Sequence, residues 1–251
     1  SRQSSISIQI WKEYTDQIEI SIINPSGVRV GPVPEILGPH RFRIGQTEIL
    51  LYYGEPSPYS ISQEIYIDLL PVESYLTEGI WRIVLSAGKI VTGQYEMWLP
   101  SDNVLNRGTG FLFPTDATTL TIPSSSSRAI SVGAYDARTF AYADFSGRGF
   151  TRLTNMVKPD LVAPGVEVMT TTVGGGYAAF TGTSFATPFV TGSAALLMEW
   201  GIVRGNDPFL YGEKVKAYFR KGARPLRGET EYPNDRVGYG KLCVAESLLE
   251  N

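Results

Sequence analysis

Ser184 stands in the run Gly182-Thr183-Ser184-Phe185-Ala186-Thr187-Pro188, which opens directly onto an apolar stretch reaching Trp200. A serine hydroxyl in that position has two uses. It can attack a carbonyl, provided that a base takes its proton and amide donors receive the charge developing on the substrate oxygen. It can also simply close the start of a helix, because Ser and Thr are favoured at that boundary. Both uses draw on the same local features. Gly182 permits a tight approach, Thr183 is a good cap, and the free N–H groups of a first helical turn favour a negative oxygen. Pro188 is expected near the first turn, where a missing N–H costs little. Spacing alone leaves capping and catalysis both open.

A nucleophilic serine needs a base, and the chain has one histidine, His40, in Gly38-Pro39-His40-Arg41. That setting reads as a proline-flanked turn, so His40 is expected to be a bystander. Gly182-Thr183-Ser184-Phe185-Ala186 approaches the G-x-S-x-G elbow of the α/β-hydrolases, whose acid and histidine follow the serine in chain order. No histidine follows Ser184. A triad order with the histidine ahead of the serine is the remaining arrangement.

The elements that would position this serine fall into two stretches. Residues 1–116 show short alternating runs, "SISIQIW", "QIEISII", "TEILLYY", "EIYIDLL", "IWRIVLSA" and "YEMWLP", separated by turn-forming segments such as "NPSG" and "GPVPEILGPH". Period-two alternation without helical periodicity predicts an antiparallel sandwich or jelly roll. Residues 117–251 change character: an apolar strand "AISVGAY", the segments "DFSGRGF" and "KPDLVAPGVEVMTT", then helical patterns at 184–203, 212–223 and, more weakly, 243–250. The first helix carries apolar residues on nearly all sides, which places it in the middle of a domain.

Composition narrows the classes. With 251 residues, 43% hydrophobic and 19% charged, the chain is ordinary globular material, and a net charge of −3 with scattered basic residues argues against nucleic acid as a partner. No apolar run approaches the roughly 20 residues of a membrane span, and the N-terminus has no signal-peptide pattern. Cys243 is the only cysteine, so an internal disulfide and a cysteine metal cluster are both out.

"GTSFATPFVTG" resembles the serine motif of the subtilisin-like proteases, G-T-S-x-A-x-P followed by V-x-G, with Gly182, Thr183, Ser184, Ala186, Pro188, Val190 and Gly192 all matching. "IPSSSSRAISVGAYD" is similar to that family's strand after its substrate-binding proline, "ADFSGRG" to its F-S-x-x-G turn, "KPDLVAPGVEV" to its K-P-D-x-x-A-P-G signature, and "VGYGKLCVAESL" to its C-terminal G-x-G element. The strand-rich first part resembles the jelly-roll insertion of the clostridial Csp-type proteases linked to spore germination. Most subtilases have a histidine where this chain has Phe189.

The resemblance implies an α/β subtilisin-like catalytic domain, its C-terminal part at 117–251, plus an all-β jelly-roll domain at 1–116. It implies a serine endopeptidase acting on a peptide or protein substrate, in a secreted, cell-surface or spore-associated bacterial setting. Ser184 is then the catalytic nucleophile, with its own N–H as half of the oxyanion hole. Thr121 falls near the base of the specificity pocket, Pro123 where the family often has a cis peptide bond, and Thr183 beside the substrate. No cofactor is implied. "PSSSSRA" overlies a loop where some subtilases bind a weak cation, but no carboxylate cluster accompanies it, and no metal is expected.

The family's D-[ST]-G and H-G-[TS] motifs and its oxyanion asparagine are missing from these 251 residues. The chain is therefore expected to be a C-terminal piece whose partner is the missing N-terminal part of the same protease, and to be inactive and association-prone alone. The rival reading is a non-catalytic pseudoprotease, or a jelly-roll binding module whose aromatic residues Trp11, Tyr52, Tyr53, Trp81 and Trp98 line a sugar-binding face.

Overall fold

The structure, a computed structural model, describes residues 3–101 and 104–248. The chain divides into two compact units, Ser1–Pro114 and Thr115–Asn251.

Among its described residues the first unit holds eight strands: β1 (Ile6–Glu13), β2 (Ile18–Ile23), β3 (Arg29–Val33), β4 (Gly38–Ile44), β5 (Thr47–Tyr53), β6 (Ser62–Pro71), β7 (Arg82–Ala87) and β8 (Tyr95–Trp98). They form a five-stranded sheet, ordered β4-β5-β6-β1-β8, and a three-stranded sheet, ordered β3-β2-β7, with every pairing antiparallel. Alternation explains the core. On β6, Ile65, Ile67 and Leu69 are buried while Glu64, Tyr66 and Asp68 face outward. The inward residues join Ile8, Ile10, Ile20, Ile49 and Leu51 in one apolar cluster between the two sheets.

Two strands were invisible to pattern. β3 and β4 lie in segments rich in Gly and Pro, which read as turns. Each is an edge strand of its sheet, where a proline without an N–H forfeits no ladder bond. His40 therefore stands on β4 rather than in a turn. Its Nε2 lies 2.8 Å from the Ile36 carbonyl, and its ring stacks on Phe42 and meets Tyr53 edge-on.

The aromatic residues separate by face. Tyr53 is fully buried and Trp81 packs on the core, whereas Trp11, Tyr52 and Trp98 occupy strand positions facing outward together with Tyr66. A buried carboxylate ties the β1–β2 turn to the loop after β7. Asp16 accepts the amides of Val91 at 2.6 Å, Thr92 at 2.9 Å and Gly93 at 2.8 Å, and the Thr92 hydroxyl at 2.8 Å.

The second unit is built on β9 (Val132–Asp136), β10 (Ala141–Tyr142) and β11 (Leu161–Pro164), ordered β10-β9-β11, with β11 parallel to β9 and β10 antiparallel to it. A hairpin follows, β12 (Val168–Thr171) with β13 (Tyr177–Phe180). The helices are α1 (Thr183–Met198), continued by a π-helical turn at Glu199–Val203, α2 (Gly212–Lys221) and α3 (Val244–Ser247). The end of the predicted third helix, Leu249 and Glu250, lies outside the described residues, as does Asn103 of the "DNVLN" segment.

Helix α1 packs on β9 and β11. Small residues allow the approach: Ala134 and Ala163 on the strands meet Ala186 and Val190 on the helix. The helix buries Ala186, Val190, Ser193 and Leu197, a single i, i+4, i+7, i+11 stripe. Its other sides, with Phe189, Leu196 and Met198, are exposed within this chain, which departs from the expectation of burial all round. The continuous helix Thr183–Val203 spans 21 residues and includes an 18-residue window of mean hydropathy 1.2, long and apolar enough by composition to cross a membrane. The expectation that no such run exists is corrected on length. Its buried stripe, however, is committed to the sheet beneath it.

Candidate active site

The N-cap of α1 is Gly182, not Thr183. Gly182 adopts φ 154° and ψ 158°, a conformation L side chains rarely take, and Thr183 and Ser184 are the first two helical residues. The turn is fastened to the sheet: the Gly182 N–H donates to the Gly165 carbonyl at 2.8 Å, and the Gly165 N–H donates to Tyr135 at 3.0 Å. This is what the A-P-G part of "KPDLVAPG" does physically. It brings the end of β11 against β9 on one side and the serine turn on the other.

Ser184 is exposed. The first intrahelical return is from the Phe185 N–H to the Gly182 carbonyl at 3.0 Å, so the Thr183 and Ser184 amides precede it, at the end where helical N–H groups lack acceptors. An oxyanion beside Ser184 would meet those amides and the positive end of α1. Pro188, expected near the first turn, is the sixth helical residue, just beyond that turn, and it has no N–H to give the Ser184 carbonyl.

Beside the serine turn lies an open depression of about 960 Å³. Its lining includes all three residues assigned to substrate contact, Thr121, Pro123 and Thr183; Ser184 is the next residue in the chain after Thr183. The Ile122–Pro123 peptide bond is cis. Thr121 lies outside any described strand. The segment that carries it is clamped to the F-S-x-x-G turn: Thr119 N–H donates to the Arg148 carbonyl at 2.8 Å, Arg148 N–H to Thr119 Oγ1 at 2.9 Å, and Arg148 pairs with Asp116 at 2.7 Å. The motif serine, Ser146, accepts the Ala134 amide of β9 through Oγ at 3.0 Å. One wall of the depression is thus held to the sheet through a side chain.

The opposite wall, Pro123 to Ser131, runs over a group of buried charges that sequence reading did not assemble. Lys158 and Asp160 of the K-P-D segment are fully buried, and Lys216 of α2 nearly so. The only sequence sign of the last was a lysine set between Val215 and Phe219 on the buried face of an amphipathic helix. The Ser127 and Ala129 carbonyls of the "PSSSSRA" loop accept from these lysines. No cluster of three or more metal-ligating side chains is found among the described residues. His40 is engaged within the first unit by Ile36, Phe42 and Tyr53, as described above. Cys243 is a half-buried free thiol.

The CspB protease of Clostridium perfringens superposes with a TM-score of 0.87 at 38% identity, covering 98% of this chain and 51% of that one. The serine protease AprX of Bacillus subtilis is 31% identical over 134 residues, 45% of this chain and 29% of that protein. The intracellular serine protease of Paenibacillus polymyxa is 36% identical over 107 residues, 41% of this chain and 30% of that protein. The chain thus spans about half of CspB and under a third of these curated relatives. The subtilase family profile matches residues 82–240, from β7 through the G-x-G segment, and the chain belongs to the subtilase family.

Proposed function

We propose that this chain is the serine-bearing part of a subtilisin-like serine endopeptidase, in which Ser184 attacks the carbonyl of a peptide bond. The observation that carries the reading is the exposed Ser184 at the start of α1, whose first amides no side chain caps, with Thr121, Pro123 and Thr183 lining the depression beside it. In the acylation step the Ser184 oxygen bonds to the substrate carbon and its proton passes to a histidine base. The carbonyl oxygen takes up the negative charge and meets the Ser184 amide, and the C–N bond then breaks with the proton delivered to the leaving amine.

The base, its aspartate and an oxyanion asparagine are supplied by the N-terminal part of the same protease. Two facts support this assignment. The chain covers only half of CspB, and the sides of α1 away from β9 and β11 present Phe189, Leu196 and Met198 without cover in this chain. The first unit is read as a jelly-roll insertion; the nested β1–β8 and β2–β7 pairings support that reading, while β1 also pairs with β6 and β2 with β3. A secreted or spore-associated setting accords with the company of CspB.

The test is hydrolysis of a chromogenic peptide by this chain alone and after joining to a subtilase segment that carries the aspartate, histidine and asparagine motifs. Hydrolysis by the joined protein, lost in Ser184→Ala, is expected. A joined, folded protein that cleaves equally well with Ser184→Ala overturns the assignment.

A further inference from the structure

Behind the Pro123–Ser131 wall, one carboxylate is surrounded by three cations. Asp160 Oδ2 accepts Lys158 Nζ at 2.9 Å and the Ser131 amide at 2.7 Å. Asp160 Oδ1 faces Lys216 Nζ at 3.1 Å and accepts Arg220 Nε at 3.0 Å. One buried lysine already neutralises this carboxylate, and a further buried ammonium costs several kcal/mol that a well-packed apolar side chain would not incur. Stability alone therefore does not call for Lys216.

What the second ammonium does is visible in its acceptors. Lys216 Nζ donates to the Ser127 carbonyl at 2.8 Å and the Ala129 carbonyl at 2.9 Å, and forms an ion pair with Asp160 at 3.1 Å. Lys158 Nζ also donates to the Ala129 carbonyl, at 2.8 Å. Ser131 is gripped through its amide and passes the restraint on, its hydroxyl donating to the Ser124 carbonyl. Ser124, Ala129 and Ser131 all line the depression. The three side chains that do this come from two elements distant in sequence, the K-P-D segment and α2.

We propose that Lys158, Asp160 and Lys216 are positioning residues that set the width of the substrate depression, holding the backbone of its Pro123–Ser131 wall from behind without touching substrate. The inference rests on the endopeptidase reading above and names what shapes its specificity. Burial lowers the Lys216 pKa to about 8, against the pull of Asp160 toward a higher value. The other charges near Lys216 are Lys158 and Asp160 on the K-P-D segment, Arg220 one turn along α2, and the exposed Arg128–Glu213 pair at 3.9 Å.

The experiment compares two chromogenic peptides that differ only in the residue before the scissile bond, one small and one aromatic, on the intact protease that contains this chain. Lys216→Met removes the ammonium while keeping the length of the side chain. Loss of the grip is expected to change the ratio of kcat/KM between the two peptides about fivefold or more, chiefly through KM. A role confined to folding lowers both peptides together and leaves the ratio unchanged, which overturns the inference. Should Lys216→Met fail to fold, Lys216→Arg keeps the charge but presents a planar fork that cannot make the same three contacts. An unchanged ratio there has the same overturning force. If the wild-type protease cleaves neither peptide, the endopeptidase reading itself fails and the inference falls with it. If it cleaves both and the ratio survives substitution, this inference alone fails.

Discussion

Asp160 and Ser131 are joined in both directions: the Ser131 N–H donates to the Asp160 carboxylate at 2.7 Å, and the Asp160 N–H donates to the Ser131 carbonyl at 2.8 Å. The pair fixes the segment before β11 to the segment before β9, where the Pro123–Ser131 wall of the depression meets the sheet. Asp160→Asn removes the anion and strands Lys158, Lys216 and Arg220 around a neutral amide. A loss of about 3–5 kcal/mol is expected, read as a lowered denaturant midpoint.

Burial by itself would raise the Asp160 carboxyl, but the Ser131 amide and the Lys158 ammonium outweigh it and hold the carboxyl below the usual carboxylate range. A depressed folded-state value means that the unfolded chain binds the proton first on acidification. The stabilisation is therefore present above about pH 4 and is lost as pH falls through the lower folded value. Unfolding midpoints measured from pH 6 downward should fall for the wild type and much less for Asp160→Asn.

Lys216 gives the opposite limb. Its folded value, lowered to about 8 by burial, lies below that of an unfolded lysine near 10.4. Between those two values the unfolded chain holds more protons, so stability gains from this group as pH rises from about 8 to 10. The gain should be absent in Lys216→Met. A parallel rise in both proteins would mean that Lys216 is not the group responsible.

Gly238 in the "VGYG" segment has φ 56°, and a Cβ there would run into the Pro159 and Asp160 carbonyls. Gly238→Ala is expected to destabilise the protein by more than about 1 kcal/mol. Gly228, also at positive φ but with open space around it, serves as the comparison. Equal effects at the two positions would show that φ, and not the close approach to the K-P-D segment, decides the cost.

In the sandwich, Asp16 receives three backbone amides and one hydroxyl, and those bonds keep its carboxyl well below the usual range. Asp16→Ala should free the loop at 91–93. Hydrogen exchange at the Val91, Thr92 and Gly93 amides should accelerate, while exchange in β5 and β6 stays slow.

The parts of this molecule that follow a regular period were readable in its sequence. β1, β5 and β6 alternate along most of their length, β2, β7 and β8 are short apolar runs bounded by turn residues, and α1 and α2 carry helical spacing, so their places came within a few residues. β3 and β4 did not, because Gly and Pro signal turns unless the strand is known to lie at an edge, and edge position is a tertiary fact. Ser184 stood out from its local setting, with motif resemblance deciding between capping and catalysis, whereas Thr121, Pro123 and Thr183 were legible only through that resemblance; the structure sets the last three around one depression, next to Ser184. The Lys158–Asp160–Lys216 group could not be assembled beforehand. Its members are 58 positions apart at the extremes, and nothing local says that a lysine on α2 reaches the carbonyls of Ser127 and Ala129.

The central claim is that Ser184 is a nucleophile whose base lies in the N-terminal part of the protease. It is tested most directly by the rate at which a fluorophosphonate labels Ser184, in this chain alone and in the protein joined to a segment carrying the aspartate and histidine motifs. Triad members act as a unit, so the joined protein should label at least about 10⁴ times faster, with the adduct on Ser184 and none in Ser184→Ala. Equal rates with and without the segment, or an adduct on another residue, would contradict it.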